Sequence, residues 1–136
     1  MTYFEQELHR LRRERAIHEE LEARLRLAKQ LMDDHYGEDI QLKQIATTAG
    51  LSLFHFIRSF RNYYGVTPYQ YLRSVRVRQA RQMLDQGMPV TDVCYSCGFS
   101  SVASFSSLFR RMTSHIPSRY TKRQGSAKSL PPLFHK

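Results

Sequence analysis

Two cysteines three positions apart have the widest chemical range of any pair in this sequence. Cys94-Tyr-Ser-Cys97 has the spacing of a zinc-binding or redox-active pair. Structural zinc normally takes four ligands, a redox pair needs a βαβ setting, and no further cysteine exists among the 136 residues. The six histidines, at positions 9, 18, 35, 55, 115 and 135, form no ligand spacing with carboxylates. We therefore expect no metal, no cofactor and no catalytic site, and we expect both cysteines to be small buried residues.

Basic residues outnumber acidic ones by 21 to 12, a net charge of +9. Residues 1–36 carry 7 Lys or Arg and 8 Asp or Glu, whereas residues 37–136 carry 14 and 4. The later part of the chain therefore favours a polyanionic partner, most often nucleic acid, over an anionic membrane or an acidic substrate. No apolar run approaches the roughly 18 residues of a membrane span, and no secretory signal is visible, so we expect a cytoplasmic protein without membrane contact.

The first 35 residues contain no Gly or Pro and predict one long helix. Acidic and basic side chains balance along it, which favours a solvated helix with ion pairs at i,i+4; the alternative is a dimer seam. Gly37 follows as the predicted left-handed cap. The apolar side chains at helical spacing are Phe4, Leu8, Leu11, Leu21, Leu25, Ala28 and Met32.

An internal repeat organises the rest of the chain. Similar residues recur at a shift of 48 and, after one inserted residue, at a shift of 49. Two copies of a unit of about 30 residues indicate a tandem architecture. The matched pairs are Leu42 with Val90, Ile45 with Val93, Ala46 with Cys94, Ala49 with Cys97, Gly50 with Gly98, Ser52 with Ser100, Phe56 with Phe105, Phe60 with Phe109, Arg61 with Arg110, Pro68 with Pro117 and Tyr71 with Tyr120.

Each copy predicts a helix-turn-helix unit. In the first copy, a short helix over 42–49 precedes Gly50, which supplies the positive φ of a tight turn. Ser52 then caps a second helix, which buries Phe56 and Phe60 and stops at Gly65. The second copy repeats this arrangement, with Ser100 or Ser101 as its cap.

A longer helix joins the two units. Pro68 suits its first turn, Gly87 ends it, and its roughly 19 residues give a length of about 29 Å. That length is close to the roughly 34 Å turn of B-DNA that separates successive major-groove segments on one face. Because a tandem repeat orients both units in the same way, we expect one chain to bind an asymmetric site. The predicted buried face comprises Leu72, Val75, Ala80, Met83 and Leu84.

A specific combination of residues extends from about position 25 to 123. It comprises Ile45-Ala46, Gly50-Leu51-Ser52, Phe60-Arg61, Gly65-Val66-Thr67-Pro68, Tyr71-Leu72-Arg73, Arg76, Ala80-Arg81, Leu84, Gly98-Phe99-Ser100, Phe105, Phe109-Arg110-Arg111 and Pro117-Ser118-Arg119-Tyr120. This combination resembles the DNA-binding domain of the AraC/XylS family of bacterial transcription regulators. The resemblance implies an all-α fold, in which two helix-turn-helix subdomains are joined by a long linker helix and preceded here by an extra N-terminal helix.

The resemblance also divides the chain. An N-terminal helical extension covers residues 1–24, the DNA-binding domain covers 25–123, and a flexible tail covers 124–136. Within the domain, the first helix-turn-helix unit spans about 41–65, the linker helix about 68–86 and the second unit about 89–113. The chain is either a compact family member or a fragment of a longer regulator.

Base recognition is expected on the exposed face of the second helix of each unit. By the resemblance, Arg58 addresses guanine O6 and N7, whereas Phe54 and Ile57 offer apolar contacts, for instance to a thymine methyl group. The alternative for Phe54 is packing in the core. The candidates for base recognition are Phe54, Ile57, Arg58, Val102, Ala103 and Ser107. The candidates for phosphate contact or positioning are Ser52, His55, Arg61, Ser100, Ser101, Arg110 and Arg111.

The second recognition helix departs from the family pattern. Its outward stretch consists of small residues, and Ser107 stands where the family commonly carries an arginine. We therefore expect the first unit to recognise bases and the second unit mainly to hold the DNA backbone. Ser114 also departs, because it stands where the first unit has Gly65. The resemblance further implies that Arg76 supports the interior through hydrogen bonds.

The predicted function is that of a sequence-specific regulator of transcription that binds double-stranded DNA and is not an enzyme. The resemblance implies that the protein recruits or positions RNA polymerase at the bacterial nucleoid, as an activator does. One alternative is an architectural or weakly specific DNA-binding protein. Another is a protein-interaction module that uses the N-terminal helix, for example to form a homodimer.

Overall fold

The computed structural model describes residues 2–122, so the predicted flexible tail over 124–136 lies outside the described residues. This part of the chain is helical, which confirms the predicted all-α fold. Its elements are α1 (Tyr3–Asp34), α2 (Leu42–Thr48), α3 (Leu53–Tyr64), α4 (Pro68–Asp85), α5 (Val90–Ser96), α6 (Val102–Thr113) and α7 (Pro117–Lys122). Within residues 2–122, no helix has the length and apolar character needed to cross a membrane.

The chain divides into two compact units that follow the predicted repeat. Unit 1 contains the chain up to Leu31 and Gln41–Pro68, and therefore most of α1 together with α2 and α3. Its buried apolar side chains come from all three helices, and the rings of Phe56 and Phe60 meet edge to face with centroids 5.7 Å apart. Only the second half of α1 contributes to this core, because every residue from 8 to 20 is exposed.

Among residues 2–122, unit 2 contains Met32–Ile40 and residues 69–122, and its core joins α4, α5, α6 and α7. Val77 and Leu84 of α4 lie in this core with Cys94 of α5 and with Cys97, which directly follows α5, and all four are fully buried. Burial raises the pKa of Cys97 to about 11 and also raises the pKa of Cys94. Both side chains therefore remain neutral thiols at physiological pH and are poor nucleophiles and metal ligands.

A left-handed glycine forms the turn in each unit. Gly50 has a φ of 76° and Gly98 a φ of 86°. Gly50 and Leu51 donate backbone hydrogen bonds of 3.0 and 2.9 Å to carbonyl groups in the last turn of α2. Gly98 and Phe99 donate the equivalent bonds, of 3.2 and 3.1 Å, to the last turn of α5. This pair of bonds is the Schellman arrangement, and it fixes the direction in which the next helix leaves.

An arginine side chain from α1 binds the turn of unit 1. Arg24 Nη1 donates hydrogen bonds to the carbonyl oxygens of Ala49, at 3.1 Å, and Gly50, at 3.0 Å. These oxygens stand at the end of α2, where the helix dipole favours a cation. Arg24 lies in the predicted extension over 1–24, yet its side chain belongs to the helix-turn-helix unit.

Arg76 has the corresponding place in unit 2. Its Nε donates a 2.7 Å hydrogen bond to the carbonyl oxygen of Tyr36, and its Nη2 donates a 3.0 Å bond to that of Glu38. Burial lowers the pKa of Arg76 from the ordinary range of arginine. The structure therefore shows the hydrogen-bonding support that the resemblance implied.

The repeated unit is longer than the sequence analysis predicted. Residues of α1 correspond to residues of α4 at a shift of 52, which differs from the shifts of 48 and 49 for the helix-turn-helix segments. Each repeat therefore has three helices, and the first of them places an arginine at or beside the turn and small or branched side chains in the core. The corresponding pairs are Arg24 with Arg76, Leu25 with Val77 and Ala28 with Ala80.

The prediction of a left-handed cap at Gly37 is wrong. Positive φ values among the described glycines occur at positions 50, 65, 87 and 98. Gly37 instead lies so close to α5 that an added Cβ would stand 2.5 Å from the carbonyl oxygen of Ser96. This close approach leaves no room for a Cβ atom, which explains the glycine at this position.

The ends of α3 and α6 have the same backbone shape with different residues. Gly65 ends α3 with a φ of 81°, and Ser114 ends α6 with a φ of 65°. Each donates a 2.8 Å backbone hydrogen bond to the residue four positions earlier. Ser114 therefore adopts a conformation that is unfavourable for residues with a Cβ atom.

We predict that Ser114→Gly raises the free energy of unfolding by about 0.5–1 kcal/mol, because glycine removes the left-handed strain but gains entropy in the unfolded chain. The exchange is checked by urea denaturation followed by circular dichroism. Gly65→Ser is the matched control and lowers the free energy of unfolding by a similar amount. A Ser114→Gly chain that is no more stable than the wild type contradicts the prediction.

Substitutions at Gly65 and Gly98 distinguish the cost of a left-handed backbone from the cost of steric crowding by a Cβ atom. An added Cβ at Gly98 would lie 2.8 Å from the carbonyl oxygen of Tyr36 and 2.9 Å from Arg76 Nε, whereas one at Gly65 meets nothing within 4 Å. We expect Gly65→Ala to cost about 1 kcal/mol and Gly98→Ala about 2 kcal/mol more, because the Arg76 hydrogen bond must break. Thermal and urea melts of the two variants check this order, and equal losses refute it.

Candidate nucleic-acid interface

The start of α3 is fixed by its cap. Ser52 Oγ accepts a 3.2 Å hydrogen bond from the backbone N–H of His55, as predicted for an N-cap. The helix then buries Phe56 and Phe60, so residues on the opposite side face solvent. Phe54 is 82% exposed, which excludes the alternative that it packs in the core.

Three predicted interface residues share this exposed face of α3. Phe54, Arg58 and Arg61 stand at i, i+4 and i+7, and all three are exposed. Ile57 lies beside them and is partly buried, while His55 is exposed on the first turn. The helix contains two arginines and no acidic residue, so its outer face is positively charged.

Ser101, rather than Ser100, is the N-cap of α6. Its Oγ accepts a 3.1 Å hydrogen bond from the backbone N–H of Ser104 and donates a 2.9 Å bond to Ser104 Oγ. The Ser101 hydroxyl is thus engaged within the cap, whereas Ser100 is exposed. The first N–H groups of the helix lie beside these serines, where the helix dipole favours an anion.

The outer face of α6 presents small side chains. Ala103 and Ser107 are exposed, whereas Val102 is partly buried and packs against the core of unit 2. Arg110 and Arg111 are exposed in the last turn. The cations of α6 are therefore confined to its C-terminal end.

The two recognition helices differ at equivalent positions. At a shift of 49, Arg58 corresponds to Ser107 and Phe54 to Ala103, while both helices carry an arginine at the next exposed turn. A guanidinium group forms a bidentate pair with guanine, which a serine hydroxyl does not. The side chains of α3 thus have more reach and more donors than those of α6.

A basic cavity beside α6 was missing from the sequence prediction. It has a volume of about 320 Å³ and is lined by Arg73 and Arg76 of α4, by the turn that contains Gly98, and by Arg111 of α6. The sequence analysis placed Arg73 only in the family pattern and gave Arg76 only a supporting role in the interior. No pattern in the sequence predicts that Arg73 and Arg111 lie close together, because their proximity arises only from the tertiary packing of unit 2.

Comparison with known proteins identifies the same architecture. A family model described as a helix-turn-helix domain matches residues 45–123, which is more than half of the chain. The transcriptional activator RhaS of Enterobacter sp. strain 638 is 36% identical over 110 residues, which cover 80% of this chain and 39% of RhaS. The regulator YbfI of Bacillus subtilis is 32% identical over 76 residues, which cover 56% of this chain and 28% of YbfI.

Solved structures give the same result. A transcriptional regulator of Chromobacterium violaceum with an AraC-type DNA-binding domain superposes with a TM-score of 0.72 and 29% identity, covering 79% of this chain and 96% of that one. The DNA-binding domain of AdpA, crystallised with a target DNA, superposes with a TM-score of 0.69 and 30% identity, covering 72% of this chain and 89% of that one.

The chain spans less than two-fifths of the length of these curated relatives. What matches is the part that contains both turns, both recognition helices and the helix between them. The fold, the repeat and these matches agree with the resemblance drawn from the residues. The chain therefore belongs to the AraC/XylS family of helix-turn-helix transcription regulators.

Proposed function

We propose that this chain binds double-stranded DNA with sequence specificity and thereby regulates transcription. The observation that carries the proposal is the outer face of α3, where an exposed phenylalanine and two exposed arginines stand on a helix capped by Ser52. A helix with this arrangement fits the major groove, with base contacts near its N-terminal half. The AdpA domain, which is similar to this chain, was crystallised with its target DNA.

The two units have unequal roles in this proposal. Arg58 pairs with guanine O6 and N7, and Phe54 and Ile57 contact thymine methyl groups from α3. Val102, Ala103 and Ser107 of α6 contact bases only through small side chains. Specificity therefore comes mainly from the half-site bound by α3.

Contacts with phosphate position both helices on the backbone. Hydroxyl and imidazole groups at the helix starts and guanidinium groups at the helix ends have the chemistry for such contacts. The residues assigned to this role are Ser52, His55, Arg61, Ser100, Ser101, Arg110 and Arg111.

The direction of regulation is part of the proposed function. The relative RhaS is named as a transcriptional activator, and we extend that direction of regulation to this chain. Activation requires that the bound protein recruit or position RNA polymerase at the bacterial nucleoid. The cytoplasm is the compartment in which this function is carried out.

Selection of bound sequences from a random DNA pool tests the proposed function. We expect an asymmetric site of two unequal half-sites about 10 base pairs apart, bound at least about a thousandfold more tightly than random DNA. Arg58→Ala should lower affinity for the selected site by about 10- to 100-fold and relax the preference at one guanine. The matched control Arg13→Ala removes the same charge from exposed α1 and leaves affinity and preference nearly unchanged.

The alternative function predicts a different outcome. An architectural or weakly specific DNA-binding protein would prefer the selected site by less than about tenfold over random DNA. The small side chains of α6 favour this alternative. A ratio below that value, or a palindromic or single site, contradicts the proposed tandem regulator.

A second copy of the chain is the proposed partner of the N-terminal half of α1. Phe4, Leu8 and Leu11 stand at helical spacing and are 69%, 37% and 49% exposed. Ion pairs such as that of Arg10 with Glu14, at 2.8 Å, flank this apolar line without covering it. Apolar side chains repeated along one side of a helix are typical of helix–helix association.

Sedimentation velocity tests this homodimer in the full chain. We expect the wild type to form a dimer and the double variant Leu8→Glu with Leu11→Glu to be a monomer, because four carboxylates would then meet across the seam. Leu27→Glu is the matched control, since Leu27 is 45% exposed on another side of α1 and should leave the dimer intact. A wild-type chain that is a monomer at all concentrations contradicts the proposed homodimer.

A further inference from the structure

Unit 1 contains a cavity in the cleft between α1 and α3. Its volume is about 240 Å³. Leu21 and Leu25 of α1 give it an apolar surface, to which Tyr63 of α3 adds an aromatic ring. The cavity therefore combines apolar contact with hydrogen-bonding groups, which is the usual character of a small-molecule site. Its polar lining residues are His18, Glu22, Ser59 and Asn62.

A small residue of α3 leaves this cavity open. At the shift of 49, Ser59 corresponds to Leu108 of α6, which is 7% exposed and packs in the core of unit 2. Because serine is much smaller than leucine, the space that a leucine side chain would fill stays open beside Ser59. The exchange Ser59→Leu therefore copies the second repeat and closes the cavity.

The Ser59 hydroxyl group lacks a hydrogen-bond partner. The residue is 9% exposed, and none of the residues from 2 to 122 forms a hydrogen bond with its side chain. Thr47 and Thr113 are also helical, and each donates a hydrogen bond to the carbonyl oxygen four residues earlier, at 2.8 and 2.7 Å. Buried hydroxyl groups are almost always paired, so that of Ser59 calls for a partner that enters from outside the chain.

The charge of the lining disfavours an ionic ligand. Glu22 supplies its one carboxylate, and Arg26 Nη1 lies 3.5 Å from Glu22 Oε1. The Glu22 carboxylate also accepts a hydrogen bond from the Tyr63 hydroxyl group, which raises the pKa of Tyr63. Among the described residues that line the cavity, none is a lysine or an arginine. A cation would therefore meet a carboxylate that is already engaged, and an anion would be repelled by it.

The corresponding cleft of unit 2 has a different character. Leu21 corresponds to Arg73 at the shift of 52, and Asn62 corresponds to Arg111 at the shift of 49. Both arginines line the basic cavity of unit 2. The apolar lining therefore follows from the side chains of unit 1 and not from the repeated backbone.

The volume of the cavity sets the size of the ligand. An apolar cavity of about 150 Å³ holds a benzene molecule. The cavity of unit 1, at about 240 Å³, has room for one aromatic ring with a small substituent. The Tyr63 ring favours an aromatic ligand, because aromatic pairs gain from offset or edge-to-face contact.

We propose that this cavity binds a small uncharged aromatic molecule with one hydroxyl or amino group. The ring packs on Leu21, Leu25 and Tyr63, and the polar group forms a hydrogen bond with the Ser59 hydroxyl group. Ser59 is buried on α3, so the ligand contacts this helix on a side other than the exposed side that carries Phe54. The site goes beyond the proposed recognition of DNA and does not depend on it.

Phenol is the probe in the first experiment, which titrates the full chain and follows the backbone amide signals of Ser59, Asn62 and Tyr63 by NMR. We expect saturable shifts with a dissociation constant on the order of 1 mM, because the ligand has few atoms. Ser59→Leu should abolish the shifts, because its side chain fills the cavity. Ser96→Leu is the matched control, since it makes the same exchange at an exposed position and leaves the shifts unchanged.

Ser59→Ala tests the hydrogen bond without closing the cavity. Phenol should bind about tenfold more weakly to this variant, whereas toluene, which has the ring without the hydroxyl group, should bind equally well to the variant and the wild type. Benzoate should bind to the wild type at least about tenfold more weakly than phenol, because its charge is unpaired in the cavity. Equal losses of phenol and toluene in Ser59→Ala, or no loss of phenol, contradict the hydrogen bond. Benzoate that binds as tightly as phenol contradicts the uncharged ligand class.

Thermal unfolding provides a second measurement of binding. Phenol should raise the Tm of the wild type and of Ser96→Leu but not that of Ser59→Leu, because a ligand of the folded chain stabilises it. The proposal is overturned by a wild type without saturable shifts up to about 10 mM phenol, or by shifts that persist in Ser59→Leu. Ser59→Ala keeps the test decisive if Ser59→Leu does not fold. A chain that fails to bind DNA refutes the proposed function but leaves the phenol titration interpretable.

Discussion

Both units depend on the left-handed turn that follows their short second helix. Gly50 and Gly98 form it, and two backbone hydrogen bonds close the preceding helix in each case. The turn determines which side of the next helix packs on the core, and hence which side is left for DNA. An arginine from the first helix of each unit, Arg24 or Arg76, binds carbonyl oxygens at or beside this turn. In unit 2 the arginine lies so close to the turn that a glycine is required, because a Cβ atom at Gly98 would lie 2.9 Å from Arg76 Nε.

In the two copies of the unit, buried positions are similar and exposed positions differ. Buried positions keep their character in both copies, with Phe56 and Phe60 matched by Phe105 and Phe109. Exposed positions differ, so one copy carries Arg58 where the other carries Ser107. The core constrains shape, whereas the outer face is free to vary between the copies. Family membership also bears out the prediction that the chain is not an enzyme, since its relatives are transcription regulators.

Residue patterns were sufficient to predict helices α1 to α6, the turns at Gly50 and Gly98 and the exposed face of α3. Glycines, capping serines and phenylalanines at i,i+4 act locally, so their consequences are visible in sequence. The role of Gly37 was not predictable, because its close contact with Ser96 arises from packing. Helix α7 was missed although Pro117 repeats Pro68; the buried Tyr120 ring lies 5.2 Å from that of Phe109 and fixes α7 on the core. The cavity beside α6 likewise arises from packing, which brings together side chains distant in sequence.

We propose that the two units recognise DNA unequally because their outer faces differ. The direct test replaces each base pair of the selected site in turn and measures the affinity of the wild-type chain for each duplex. We expect losses of about 1–3 kcal/mol at base pairs in the half-site bound by α3, and losses below about 1 kcal/mol throughout the other half-site. Equal losses in the two half-sites, or larger losses in the half-site bound by α6, would contradict it.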